Sequence, residues 1–321
     1  MKLPQLDEIR NAAAIVYKTM PPTPLIRWPL VCGRTGADVC IKHENHSPVG
    51  SFKLRGGLLY MHKLSHAEPN VSGVIAATRG NHGQSIALAA ARSGLRSVIV
   101  VPHGNSREKN AAMQALGAEL RECGSDFQEA YEQATRMAQV ERLHMVPSFD
   151  RTLVCGVSTY ALELFEAVPD LDDVYVPIGM GSGMCGVISA RNALGLKTRV
   201  IGVVAAGAPA YAQSFVAGQV VPTEVARTIA DGMACRTPEA DAVGIIKKGA
   251  ERIVTVSDDA ICAAMRHLFS DTHNTAEGAG ASALAALLQE CEFMRGRRIA
   301  VILTGGNVDR DVFARILAED E

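Results

Sequence analysis

Short runs of apolar, mostly β-branched residues alternate with alanine-rich stretches along most of the chain. Each run is almost continuously apolar, which is typical of strands that are buried on both faces of a sheet. The predicted strands are Val74–Ala77, Ser97–Val101, Val174–Ile178, Arg199–Val204, Ile253–Val256 and Arg298–Leu303. Helices are predicted to begin at or near Gln84, Ser106, Asp126, Leu153, Met184, Asp258 and Glu277, with Ser106 and Ser257 as N-caps. This alternation predicts an α/β fold of mostly parallel sheets covered by helices.

The 321 residues are enough for two domains. A boundary near Pro147–Asp150 would separate a small domain, residues 71–149, from a discontinuous large domain made of residues 1–70 and 150–321. A cleft would then lie between the two domains. Since ligands of open α/β sheets bind outside the carboxyl ends of the strands, we expect the chemistry in the loops that follow the predicted strands.

The composition favours a small-molecule partner. The formal net charge of −2 leaves no basic excess, which argues against binding to nucleic acid or to an anionic membrane surface. No apolar run reaches bilayer-spanning length, and acidic residues near the N-terminus argue against a signal peptide. The eight cysteines show neither a CxxC pair nor a spacing that suits zinc, so we interpret them as reduced thiols of a cytoplasmic protein.

Lys53 is the first candidate for chemistry. It follows Ser51 and Phe52 at a predicted helix start, inside a glycine-containing run that extends to Gly57. Burial would lower the pKa of its amine, and such a lysine can form a Schiff base. The alternative is an ordinary solvated lysine.

Three loops after predicted strands carry further candidates. Residues 77–84 lead into a helix whose N-terminus suits a carboxylate, although a simple Gly-Asn turn would explain the same residues. Residues 177–186 contain three alternate glycines that could direct several N–H groups at a phosphate, although the loop lacks a Walker lysine and departs from the dinucleotide fingerprint. The third loop, Thr304–Asn307, puts a hydroxyl beside two glycines.

In this order, the Ser51-Phe52-Lys53 run, Gly80–Gln84, the glycine loop 179–183 and Thr304–Asn307 resemble the motifs of fold-type II pyridoxal-phosphate enzymes. The chain is most similar to the serine/threonine dehydratase and serine racemase branch. The resemblance covers nearly the whole chain, including Thr23-Pro24-Leu25, Gly156–Thr159 and Ala230-Asp231-Gly232. It implies a two-lobed fold like that of the tryptophan synthase β subunit, a homodimer, and pyridoxal 5'-phosphate as cofactor.

The resemblance also implies a role for each matching residue. Lys53 would hold the cofactor and Phe52 would pack against its ring. Asn81 would bind the ring hydroxyl, and Thr304 would face the ring nitrogen with a neutral hydroxyl, which favours β-elimination over transamination. The phosphate would bind to Gly179, Met180, Gly181, Ser182 and Gly183, and the substrate to Thr78, Arg79, Asn81 and His82.

The implied activity is loss of water from a 3-hydroxy amino acid, L-threonine or L-serine, to give a 2-oxo acid and ammonia. Lys53 would remove the Cα proton as general base, and the cofactor phosphate would protonate the leaving hydroxyl. Three alternatives stay open: a 3-hydroxyaspartate dehydratase, an enzyme of racemisation or β-replacement, and a cofactor-binding protein without turnover.

Arg79 departs from the family pattern. Racemases of this branch have a serine there that exchanges a proton, and an arginine, which stays protonated, disfavours that reaction. Arg79 could instead clamp a second carboxylate, which would favour a substrate like 3-hydroxyaspartate. The alternative is that it points away from the site and pairs with a nearby acid.

Two further expectations rest on what the family pattern would require. The racemases bind a divalent cation through acidic residues after the strand that matches Val200–Val204, but residues 205–210 contain no carboxylate, so no metal of that type is predicted. The chain ends soon after Asn307, without the regulatory domain of biosynthetic threonine dehydratases, so a catabolic role is expected.

Overall fold

A computed structural model describes residues 1–319 of the chain and contains two separate sheets. The larger sheet has six strands in the order β1-β2-β10-β7-β8-β9, and only the edge strand β1 runs antiparallel to its neighbour. Its strands are β1 Leu25–Arg27, β2 Asp38–His43, β7 Asp173–Pro177, β8 Arg199–Ala205, β9 Arg252–Val256 and β10 Arg298–Leu303. The smaller sheet has four parallel strands in the order β5-β4-β3-β6. These strands are β3 Gly73–Ala77, β4 Arg96–Val101, β5 Glu119–Glu122 and β6 His144–Met145.

Helices cover both faces of both sheets. They are α1 Leu6–Val16, α2 Pro29–Thr35, α3 Lys53–Ala67, α4 Asn81–Arg92, α5 Arg107–Ala115, α6 Phe127–Glu141, α7 Arg151–Ala167, α8 Ser182–Ala193, α9 Ala210–Ala217, α10 Ala240–Gly249, α11 Asp258–Thr272, α12 Gly278–Gln289, α13 Cys291–Met294 and α14 Arg310–Ala318. Alternate residues of the large sheet pack against α11 and α12 on one face and against α7, α8 and α10 on the other. This two-sided burial explains why strands β7 and β10 are apolar almost throughout.

The six predicted strands and the predicted α/β class are confirmed. The seven predicted helices are all present, with starts that differ by up to three residues from the predicted ones. The two predicted N-caps are also confirmed, because the Ser106 hydroxyl accepts the N–H of Lys109 and the Ser257 hydroxyl accepts that of Ala260, each at 3.1 Å.

Helix α3 shares the apolar core of the small sheet, through Leu54, Leu58 and Met61. It also packs against α7 of the large-sheet layer. The helix therefore joins the two layers, and the domain limits at residues 70 and 150 stay a prediction. Within residues 1–319, no helix has the length and apolar character needed to cross a membrane.

Candidate active site

All twelve predicted site residues line one cavity between the carboxyl ends of the two sheets. Its lining includes Phe52, Lys53, Thr78, Arg79, Asn81, His82, Gly179, Met180, Gly181, Ser182, Gly183 and Thr304. The geometry therefore brings together segments that lie up to 252 residues apart in the chain (304 − 52 = 252). The individual role of each residue stays a prediction.

Lys53 is the first residue of α3 and is held at the floor of this cavity. The N–H of Phe52 donates to the carbonyl of Thr304 at 3.1 Å, which ties the start of α3 to the end of β10. The Lys53 Nζ donates to the Ser182 hydroxyl at 3.2 Å and lies 5.1 Å from the centroid of the Phe52 ring. Burial lowers the pKa of Lys53 to about 8, because an ammonium group is poorly solvated there. Lys53 is therefore not the solvated lysine of the alternative interpretation.

The glycine loop joins β7 to α8 and needs its glycines. A Cβ at Gly179 would lie 2.2 Å from the carbonyl oxygen of Gly232, and Gly181 has a φ of 95°, which L side chains rarely adopt. Ser182 begins α8, so the N–H groups of its first turn have no acceptor within the helix. Such a turn offers a preformed site for a phosphate group.

Asn81, at the start of α4, is fixed through both atoms of its amide. Its Oδ1 accepts from Asn307 Nδ2 at 2.8 Å, and its Nδ2 donates to Glu277 Oε1. One amide hydrogen remains for a ligand in the cavity.

Glu277 belongs to a buried charge network that the sequence did not predict. Lys109 donates to Asp231 Oδ2 at 2.7 Å and to Glu277 Oε2 at 3.0 Å. Burial alone would lower the pKa of Lys109, but the two carboxylates outweigh it and raise that pKa. Burial raises the pKa of Glu277, and repulsion from Asp231 adds to this effect. The network joins α5, which packs on the small sheet, to the N-cap residue of α12, which packs on the large sheet.

The loop after β3 presents two polar groups to the cavity. The Thr78 hydroxyl accepts the N–H groups of Gly80 at 2.8 Å and Gly83 at 3.2 Å, which leaves its hydrogen for a ligand. Burial, and then the nearby Lys53, lower the pKa of His82 to about 3, so its ring is neutral. The buried His82 Nε2 has no hydrogen-bond partner in the described chain.

Arg79 lies in the same loop, lines the cavity and has a buried Nε without an acceptor. No carboxylate of residues 1–319 forms an ion pair with it. The interpretation in which Arg79 turns away and pairs with a nearby acid is therefore wrong.

These residues fit the cofactor that the sequence motifs imply. Lys53 supplies an amine with a lowered pKa, and the first turn of α8 supplies N–H groups for a phosphate. The unsatisfied Nε2 of His82 and the free hydrogens of Thr78 and Asn81 can meet the remaining polar atoms of a bound cofactor and substrate.

The site could be predicted only in part. Lys109 was missed, and Glu277 was predicted only as a helix start, because a buried ion pair is recognisable only once the fold brings its members together. Ala230-Asp231-Gly232 was part of the resemblance and was the one available signal for this network.

Comparison with known proteins supports pyridoxal phosphate as the cofactor of this site. The chain is 33% identical over 313 residues to the L-threonine ammonia-lyase of Thermotoga maritima, covering 97% of this chain and 78% of that protein. It is 36% identical over 299 residues to the biosynthetic L-threonine dehydratase of Salmonella typhimurium, covering 92% of this chain but only 58% of that protein. The structure of maize serine racemase superposes with a TM-score of 0.91 at 27% identity, covering 98% of this chain and 97% of that one. Residues 16–305 match the family model described as pyridoxal-phosphate dependent enzyme, and the chain therefore belongs to this family.

Proposed function

We propose that the protein is a lyase that removes water from a 3-hydroxy amino acid, L-threonine or L-serine, and releases a 2-oxo acid and ammonia. The observation that carries this proposal is the position of Lys53 Nζ, 3.2 Å from the Ser182 hydroxyl at the start of the predicted phosphate loop. The similarity to the threonine ammonia-lyase of Thermotoga maritima supports the choice of substrate.

Lys53 carries out the proton transfer. Bound pyridoxal phosphate withdraws electrons from the Cα of an amino acid and so makes the Cα proton acidic. Lys53 Nζ, whose pKa is lowered to about 8 by burial, is then a base matched to neutral solution and takes that proton. The Ser182 hydroxyl holds Nζ in the cavity through its hydrogen bond.

The loop after β3 orients the substrate. The Thr78 hydroxyl and the first-turn N–H groups of α4 bind its carboxylate. His82 stays neutral because burial lowers its pKa, so it can donate or accept a hydrogen bond without attracting the carboxylate as a charge. With the carboxylate fixed on this side, the Cα hydrogen faces Lys53. The Cβ hydroxyl leaves as water, and hydrolysis of the released enamine gives the 2-oxo acid and ammonia.

Thr304 is the residue that would face the ring nitrogen of the cofactor. It follows β10 and is 4% exposed, and its hydroxyl would be the partner of the ring nitrogen. A neutral hydroxyl in this position would not supply the charge of a carboxylate to that nitrogen, which would favour elimination over transamination.

The test combines cofactor absorbance with product release. Purified protein loaded with pyridoxal phosphate should release 2-oxo acid from L-threonine or L-serine, and a Lys53→Ala variant should release none. The proposal is wrong if the loaded protein yields no 2-oxo acid from any member of a panel of 3-hydroxy amino acids.

Racemisation or β-replacement is the second candidate, favoured by the close superposition on maize serine racemase. Arg79 argues against racemisation because it cannot exchange a proton at neutral pH. Chiral analysis of the serine that remains after incubation with L-serine distinguishes a lyase from a racemase, since a lyase forms no D-serine and a racemase does.

The proposal extends to a cytoplasmic homodimer with a catabolic role. The similarity to the catabolic L-threonine dehydratase of Escherichia coli, 32% identical over 95% of this chain and 93% of that protein, supports the catabolic role. Sedimentation of the loaded protein tests the dimer, and a monomer at micromolar concentration would contradict it.

A further inference from the structure

Arg79 stands where two cavities meet. Besides the active-site cavity, it lines an adjoining cavity of about 250 Å³. The two cavities share Arg79, Phe127, Ser148, Met180, Ala234 and Cys235 in their linings. The space open to a ligand at Lys53 therefore continues past Arg79 into the adjoining cavity. Serine and threonine carry too few atoms beyond Cβ to use it.

The guanidinium of Arg79 has no anion in the described protein, and the acids around it are engaged elsewhere. Asp126 accepts the N–H of Glu129 at 2.9 Å as the cap of α6 and pairs with Arg236 at 2.6 Å. Asp231 and Glu277 are held by Lys109.

Glu239 is the other carboxylate in the lining of the adjoining cavity. Burial, with repulsion from Asp241, raises its pKa, and it forms no ion pair with Arg79 in the described part of the chain. A guanidinium N–H that is buried without an acceptor costs free energy, which an incoming anion would recover.

We propose that Arg79 binds a second carboxylate of the substrate, so that the preferred substrate is a 3-hydroxy amino acid with an acidic side chain, of which 3-hydroxyaspartate is the shortest. This inference rests on the proposed dehydration and names its substrate class. Thr78 lines only the active-site cavity, whereas Arg79 also lines the adjoining one, so the α-carboxylate at Thr78 and the second carboxylate at Arg79 would occupy separate places. A guanidinium binds a carboxylate through two parallel N–H donors, which fixes the Cβ substituents as well as adding affinity.

The reaction remains the same elimination. Lys53 takes the Cα proton, the electron pair of the Cα–H bond forms the Cα–Cβ double bond as the Cβ–O bond breaks, and the hydroxyl takes up one proton, which balances the one that Lys53 removed, and leaves as water. One water molecule then hydrolyses the released enamine. For 3-hydroxyaspartate the products are oxaloacetate and ammonia, and no oxidant or reductant is needed.

The test compares substrates that differ only in the second carboxylate. In the loaded wild-type enzyme, kcat/KM for one diastereomer of 3-hydroxyaspartate should exceed that for L-serine by about tenfold or more. An Arg79→Gln variant should lose about 30-fold or more of kcat/KM for 3-hydroxyaspartate, mainly through KM, and its loss of kcat/KM for L-serine, which has no second carboxylate, should be about tenfold smaller. An Arg236→Gln variant is the matched control, because Arg236 lines the adjoining cavity but is already paired with Asp126. It should retain the wild-type preference.

A binding measurement separates this inference from the proposed dehydration. L-aspartate and L-alanine have no β-leaving group, so their binding can be followed by the visible absorbance of the bound cofactor. Wild-type protein should bind L-aspartate more tightly than L-alanine, and Arg79→Gln should lose this preference even if no substrate is turned over.

Three results would overturn the assignment. Equal wild-type kcat/KM for L-serine and both diastereomers of 3-hydroxyaspartate would mean that no second carboxylate is recognised. Equal losses for every substrate in Arg79→Gln would place Arg79 on the α-carboxylate, and a weaker cofactor affinity would place it on the cofactor phosphate.

Discussion

The central residue is Lys53, and its chemistry follows from burial. A lysine at the start of an exposed helix would keep a pKa near 10.5, but here burial lowers the pKa to about 8. Since an amine reacts with the aldehyde of the cofactor only when it is neutral, uptake of pyridoxal phosphate by cofactor-free protein should depend on this pKa. The rate should rise about tenfold per pH unit below about pH 8 and level off above it. Stopped-flow absorbance between about pH 6 and pH 10 measures this, and a rate that keeps rising to pH 10 would contradict the role of burial.

The glycine loop shows how one short segment can determine cofactor affinity. A Gly179→Ala substitution would bring a Cβ within 2.2 Å of the Gly232 carbonyl oxygen, so the backbone must shift. Since this shift would displace the N–H groups of the loop, the binding free energy of pyridoxal phosphate should weaken by about 1–3 kcal/mol in an equilibrium titration. Gly244→Ala is the matched control, because a Cβ at Gly244 in helix α10 meets nothing within 4 Å. It should leave cofactor affinity unchanged and stabilise the helix by about 0.5–1 kcal/mol. Equal cofactor affinity in both variants would show that the loop is not the phosphate site.

The strands and helices that could be predicted from the sequence are those with a recognisable residue pattern within the element itself. Strands such as β7 and β10 are buried on both faces and read as continuous apolar runs, whereas β5 consists of Glu119–Glu122 on a sheet edge and carries no such signal. Strand β2 was missed because its final residues include Lys42, which can be buried because Glu163 of α7 and the Thr23 carbonyl accept from its ammonium group. Arg55, fully buried between Glu44 and Glu163, was invisible for the same reason. Pairs of this kind form only in the folded chain.

The two sheets are joined across the site by the Lys109–Asp231–Glu277 network. A Lys109→Met substitution keeps a long unbranched side chain but leaves the carboxylates of Asp231 and the buried Glu277 facing each other without the cation they share. The free energy of unfolding should fall by about 3 kcal/mol, measured by urea denaturation of the loaded protein. Asp311→Asn is the control, because the Arg107–Asp311 pair is largely exposed and should contribute less than about 1 kcal/mol. Similar losses in the two variants would contradict a stabilising role for the buried network.

The account as a whole depends on whether Lys53 binds the cofactor and catalyses loss of water. The most direct measurement is the visible spectrum of the loaded protein during addition of single 3-hydroxy amino acids, with 2-oxo acid assayed in the same cuvette. We expect an absorbance band that depends on Lys53 before any amino acid is added and that changes as 2-oxo acid accumulates, and we expect no product in Lys53→Ala. A wild-type protein without the band, or a Lys53→Ala variant that still forms 2-oxo acid, would contradict the assignment of Lys53.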